Sequence, residues 1–233
     1  MITLRPSETR GHADHGWLNA RHSFSFSSWY DPRYMGFRAL RVINDDRVAA
    51  GAGFPTHGHQ DMEIVTYVLD GALEHRDSLG NGAVLKAGDM QRMSAGSGVR
   101  HSEFNPSRTE QLRLLQIWLL PQARGIEPGY EDKSFPLAER QDQIKALVTP
   151  DGRDGTLKIH QDASVHGVLL GAGVKASYSL APGRHGWVQV AKGTLRLGSH
   201  TLREGDAAMV SDERQLDFEG LEQGAEALLF DLA

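Results

Sequence analysis

The chain has 233 residues and a mass of 25.6 kDa, with 25 Lys+Arg against 30 Asp+Glu and a formal net charge of -5. That length holds one large β domain or two smaller domains, and 39% hydrophobic with 24% charged residues is the balance of a chain that buries a core. Zero cysteines exclude thiol nucleophiles, iron–sulfur clusters and Cys-held zinc, so any metal must be held by His, Asp or Glu.

Residues 1–16 are polar and charged, without the apolar region of a secretory signal. The longest apolar-rich stretch, 112–120, carries Arg113 and Gln116 and is far shorter than the ~20 residues of a membrane span. A cytoplasmic protein with no membrane association is expected. With a sequence pI near 6.1 and no segment that concentrates Lys and Arg, no direct nucleic-acid partner is expected.

Period-two alternation with β-branched and aromatic residues predicts strands over 63–69, 112–118 and 187–190. Turn formers bound them at Asp70-Gly71, Gly80-Asn81-Gly82 and Lys192-Gly193. The polar, Pro- and Gly-containing stretch 121–136 reads as a connection, and a short helix is predicted over 136–145 with Pro136 in its first turn. Short strands with glycine corners read as an all-β sandwich or barrel.

The chain also repeats itself. Tyr67 to His75, followed by Leu85-Lys86-Ala87-Gly88-Asp89-Met90, is echoed by Val188 to Arg196, followed by Leu202-Arg203-Glu204-Gly205-Asp206-Ala207. Gly71 pairs with Gly193 at an offset of 122 and Gly88 with Gly205 at 117, so the second copy carries a loop five residues shorter. Strand, glycine turn, strand and then Gly-Asp before another strand, twice over, predicts two related barrels in tandem.

The strongest chemical signal is His57-Gly58-His59 and, later, His101-Ser102-Glu103. Alternate residues of a strand share a face, so each pair projects one way, and two such pairs on adjacent strands can converge on one ion. Glu63 is counted onto the face of His57 and His59 and is a further carboxylate candidate. Imidazoles with a carboxylate suit a first-row divalent metal better than Mg²⁺ or Ca²⁺. A lone His-x-His is weak evidence, and isolated surface or core histidines are the alternative.

The spacing Gly51, His57, His59, Glu63 fits the first motif of the cupin superfamily. Gly88, Gly96, His101 and Asn105 resemble the second, with Ser94 where proline is usual and a longer gap before the histidine. Arg10-Gly11-His12, Gly16-Trp17-Leu18, His22-Ser23-Phe24-Ser25-Phe26, Leu40 to Asp46, His57 to Glu63 and Met93 to Glu103 together resemble the pirin family of bicupins. The resemblance spans nearly the whole chain. It implies an all-β fold of two tandem jelly-roll cupin barrels, with residues 1–135 binding metal and residues 136–233 forming a degenerate second domain.

It further implies that His57, His59, His101 and Glu103 hold the metal, with Glu63 buried behind them. The ion implied is Fe²⁺, with Ni²⁺, Co²⁺, Mn²⁺, Cu²⁺ or Zn²⁺ as alternatives. Bacterial pirins resemble quercetin 2,3-dioxygenases, which implies O₂ and a small aromatic substrate as partners, with Glu103 as the catalytic base. Eukaryotic pirins imply the rival reading, a non-catalytic, iron-binding, redox-responsive regulatory partner. A channel with room for a two-ring aromatic favours the enzyme and a closed pocket favours the regulator. A monomer is expected.

The repeat offsets place Ser179, Ala181, Phe218 and Gly220 where the first half has its ligands, and His185 stands alone opposite Glu63. One metal per chain is therefore expected. His12 and His15 have no further ligands nearby, His22 alternates with Phe24 and Phe26 as a structural residue, and His75 and His160 are given no role. Phe54, Val65, Met90, Met93, Phe104 and Trp118 are candidates for an apolar sleeve.

Overall fold

The alternating segments fold as strands, and the computed structural model, which describes residues 1–233, contains twenty of them. In order they are β1 (Ile2–Arg5), β2 (Gly11–Asp14), β3 (Leu18–His22), β4 (Leu40–Val48), β5 (Gly53–His59), β6 (Glu63–Asp70), β7 (Ala72–Asp77), β8 (Gly82–Lys86), β9 (Asp89–Ser94) and β10 (Val99–Phe104). There follow β11 (Leu112–Leu119), β12 (Gly129–Ser134), β13 (Gln143–Thr149), β14 (Leu157–Lys158), β15 (Ala163–Leu170), β16 (Lys175–Ser179), β17 (His185–Leu197), β18 (His200–Arg203), β19 (Ala207–Val210) and β20 (Gln215–Leu232). Helix is confined to three single 3₁₀ turns, and no helix is long and apolar enough to cross a membrane.

Two compact units emerge. The first comprises Gly11–Phe135 with Ile159–Gln161, and the second Met1–Arg10, Pro136–Lys158 and Asp162–Ala233. A cut at 135/136 would leave residues 1–10 in the first unit. They group with the second because β1 pairs antiparallel with β19, Ile2 opposite Val210.

The first unit holds a seven-stranded sheet, in order β12-β9-β6-β11-β4-β3-β2, and a four-stranded sheet, β5-β10-β7-β8. The second is one nine-stranded sheet built on β17 and β20, which are long enough to serve both faces of a barrel. Both copies of the repeat use the same turn. Gly88, at φ 90°, donates its N–H to Val68 O at 2.9 Å, while Asp89 Oδ2 accepts from the Lys86 N–H at 2.7 Å. Gly205, at φ 84°, donates to Val190 O at 2.9 Å, and Asp206 Oδ2 accepts from the Arg203 N–H at 2.8 Å. A positive φ is cheap for glycine alone, and the aspartate closes the turn behind it.

Two sequence expectations change. Asp70-Gly71 does turn the chain from the seven-stranded into the four-stranded sheet, but Lys192-Gly193 does not end a strand. There β17 runs on through register shifts at Val190/Lys192 and Gly193/Thr194, so the glycine marks a bulge. The helix predicted over 136–145 is one 3₁₀ turn, Leu137–Glu139, with a strand beginning at Gln143. Asp142 sits at φ 60°, which breaks any helix, and residues 143–148 gain more by pairing with β15.

The interiors of the two barrels differ in one respect that matters for function. On β6 of the first unit, Ile64 and Val68 belong to separate apolar clusters and Thr66 lies between them; on β11, Trp118 and Leu114 do the same around Gln116. A polar belt therefore divides the first core. In the second unit Val188, Val190, Ala227 and Leu229 join Leu216 and Phe218 in one continuous cluster. Each fully buried aliphatic or phenyl side chain there contributes ~1.5–3 kcal/mol, and the space that ligands would occupy is filled.

Candidate metal centre and its cavity

β5 and β10 are antiparallel neighbours with His57 opposite His101 and Val99 opposite His59. Period two sends all three imidazoles to the inner face, where His101 Nε2 lies 3.1 Å from His57 Nε2 and 3.0 Å from His59 Nε2. One N–H···N bond can serve one of these pairs and not both. The Nδ1–H of His57 points at Pro55 O, 2.8 Å away, which leaves its Nε2 as a lone pair aimed at the others. Neighbouring ligands at right angles on an ion with bonds of ~2.1 Å stand about 3.0 Å apart. Three ring nitrogens converging at that separation fit a divalent first-row cation. Burial pushes His59 down to about 4 and His101 down to about 2, each helped by its neighbouring histidines, so both are neutral and able to ligate at pH 7.

Glu103 shares the inner face of β10 with His101 and lines the same cavity, but its carboxylate is not within the group formed by the three Nε2 atoms. It groups instead with His101 and His75. Three side chains hold it. Gln91 Nε2 donates to Oε1 at 2.7 Å, the Thr66 hydroxyl reaches the same oxygen at 3.2 Å, and Gln116 Nε2 donates to Oε2 at 2.8 Å. The Gln91 amide is itself oriented, since its Oε1 accepts from the Tyr130 hydroxyl at 3.0 Å, while the single hydrogen of the Thr66 hydroxyl serves either Glu103 or Gln116 Oε1, the latter 3.1 Å away. Burial raises the Glu103 carboxyl to about 7, against the lowering effect of these three donors.

None of Thr66, Gln91 and Gln116 was legible as a site residue. A lone Gln inside the apolar run 112–119 was the available signal.

Glu63 lies elsewhere. Ile64 lines the cavity, so its neighbour Glu63 is on the opposite face of β6, fully buried, accepting from Ser94 Oγ at 2.9 Å and from the His160 backbone N–H at 3.1 Å. Counting faces from His57 fails because Asp61, at φ 50°, turns the chain between β5 and β6 and resets the alternation. His75 is buried against the Tyr130 ring, with centroids 4.4 Å apart, and 5.4 Å from the His101 ring. Of the sleeve candidates, Phe54 and Trp118 line the cavity; Val65, Met90, Met93 and Phe104 do not.

The cavity measures about 400 Å³, within the ~300–1,000 Å³ of small-molecule sites. His57, His59, His101 and Glu103 occupy the side built by the four-stranded sheet; Phe26, Ile64 and Trp118 supply flat apolar wall. Its geometry depends on a close approach of two backbones: a Cβ on Gly53 would stand 2.3 Å from Glu103 O and 2.5 Å from Phe104 Cα. Gly53→Ala is expected to push β5 off β10, to cost about 1–3 kcal/mol as overpacking does, and to weaken metal binding. Thermal denaturation with and without added Ni²⁺ measures both effects.

A small β-barrel that gathers three imidazoles and a carboxylate around an apolar cavity, followed by a second barrel whose corresponding core is closed, is the construction of a bicupin. The chain belongs to the pirin family: residues 3–119 match Pirin, and residues 146–232 match the quercetinase C-terminal cupin domain. It is 47% identical to the quercetin 2,3-dioxygenase of Escherichia coli K12 over 100% of this chain and 99% of that one. It is 44% identical to a pirin-like protein of Caulobacter vibrioides over the whole of both. Among solved structures, the E. coli bacterial pirin YhhW in complex with nickel(II) superposes with a TM-score of 0.94 at 46% identity, covering 100% of this chain and 99% of that chain.

Proposed function

We propose that this chain is a metal-dependent dioxygenase that opens the central ring of a flavonol such as quercetin with O₂. His57, His59, His101 and Glu103 hold one divalent ion in this reading. Fe²⁺ is the proposed ion, and the nickel complex of YhhW supports the wider divalent class. The observation that carries the proposal is the convergence of three Nε2 atoms at the edge of a cavity large enough for a flat aromatic. That cavity also favours the enzyme over the regulatory reading.

An ion held there supplies Lewis acidity and open positions for substrate oxygen and O₂. The protein supplies the rest. Glu103, raised toward neutrality by burial, takes the proton of the flavonol's central-ring hydroxyl as it approaches. Gln91, Gln116 and Thr66 keep that carboxylate aimed, so little reorganisation accompanies the transfer. Phe26, Phe54, Ile64 and Trp118 hold the ring system flat and keep water out.

The test is anaerobic loading with Fe²⁺, then quercetin and air, following flavonol absorbance and released carbon monoxide. Loss of absorbance with carbon monoxide formed is expected. No turnover with iron, nickel, cobalt, manganese or copper overturns the flavonol reading.

A further inference from the structure

The cavity has a second polar wall that this chemistry leaves unused. β3 and β4 of the seven-stranded sheet present His22, Asn44 and Asp46 to it. Asn44 Oδ1 is committed to His22 Nδ1 at 2.8 Å. Asp45, whose side chain takes the other face of β4, is neutralised by Arg113, whose Nε and Nη2 each lie 3.0 Å from its two oxygens. Asp46 differs from both. It is 3% exposed, its strand neighbours in register are Ala20 and Leu114, and its Oδ1 is buried with no hydrogen-bond partner. Native proteins seldom leave a buried carboxyl oxygen unpaired, and the residue that carries this one is part of the cavity wall.

We propose that Asp46 is a substrate-recognition residue, hydrogen-bonding a ring hydroxyl of a polyhydroxylated aromatic at the wall opposed to the histidines. The proposal rests on the reading of the cavity as the seat of a flavonol and extends it: the substrate must carry a hydroxyl beyond the one at the metal. A hydroxyl suits this carboxyl in either state, because a carboxylate accepts from it and a carboxylic acid both accepts and donates. Burial, Asp45 and Glu103 all raise the group well above the ordinary carboxylate range. The flanking surface, Leu18, Ala20, Phe26 and Phe54, offers no competing polar partner and selects a flat apolar body with a polar tip.

The experiment is anaerobic binding to Ni²⁺-loaded protein, read by tryptophan fluorescence, with Trp118 in the cavity wall as reporter. The two probes are quercetin and 3-hydroxyflavone, which keeps the central-ring hydroxyl and lacks the others. The wild type is expected to prefer quercetin by about tenfold or more. Asp46→Leu is expected to lose that preference, weakening quercetin about tenfold while 3-hydroxyflavone binds as well or better, with nickel content unchanged. Asp46→Asn, nearly isosteric, keeps part of the preference and serves if the leucine variant does not fold. Wild-type binding of quercetin that both variants match overturns the role of Asp46 alone. If the wild type binds neither flavonol, the flavonol reading fails and the Asp46 proposal with it.

Discussion

His101→Ala is expected to abolish metal binding while leaving a folded protein. His101 Nε2 is the nitrogen that stands within 3.1 Å of both other ring nitrogens, so its loss leaves His57 and His59 as a two-imidazole site. Removal of a group that merely supports a ligand costs roughly 10–100-fold in affinity, and removal of a ligand costs more. Metal content after dialysis should fall from about one ion per chain to a trace, and ring cleavage should fall with it. The fold should survive because β10 is held by backbone pairing to β5 and to β7, none of which involves the imidazole. Circular dichroism beside metal analysis separates these outcomes: a folded variant that retains its ion would remove His101 from the site.

Glu103→Gln is expected to cut turnover by about 10²–10⁴-fold, the range for loss of a positioned base, with the ion kept by the three histidines. The argument for a base rather than a bystander lies in the surroundings. Gln91 and Gln116 present amide N–H donors to the two carboxylate oxygens, and the Gln91 amide is locked with its nitrogen toward the carboxylate by the Tyr130 hydroxyl on its Oε1. Such a cradle specifies an acceptor-only group. A glutamine turns an N–H toward one of those donors in either orientation, adding roughly 1–3 kcal/mol of instability from the unpaired contact. The variant should therefore melt earlier and still bind nickel. Turnover equal to wild type in a metal-replete preparation would refute the catalytic role, whereas lost nickel would make Glu103 a required ligand.

Much of the architecture was legible because it rests on local rules. The Gly-Asp turn recurs with the same two hydrogen bonds at Gly88-Asp89 and Gly205-Asp206, and glycine at positive φ is a requirement that sequence reveals directly. The three histidines were legible from the spacing of His57, His59 and His101 taken with the resemblance to the pirin motifs; the pairing of β5 with β10 brings their Nε2 atoms together. What escaped depended on long-range partners. Met1–Arg10 joins the second unit through β1 and β19, about two hundred residues apart in sequence, with no local mark. The polar belt of Thr66, Gln91 and Gln116 becomes a site only when three strands bring it to Glu103. Face counting carried His57 and His59 correctly but failed across Asp61, where one residue at positive φ suffices to swap Glu63 to the far side of β6.

The whole account turns on whether one cation sits among the ring nitrogens of His57, His59 and His101. Elemental analysis with metal-edge X-ray absorption on Fe²⁺- or Ni²⁺-loaded protein measures this directly, with the triple His57→Ala, His59→Ala, His101→Ala variant as control. The expected result is about one ion per chain with imidazole nitrogen in its shell, and none in the variant. An ion retained by the triple variant, or a wild-type chain that holds no metal after loading, would contradict it.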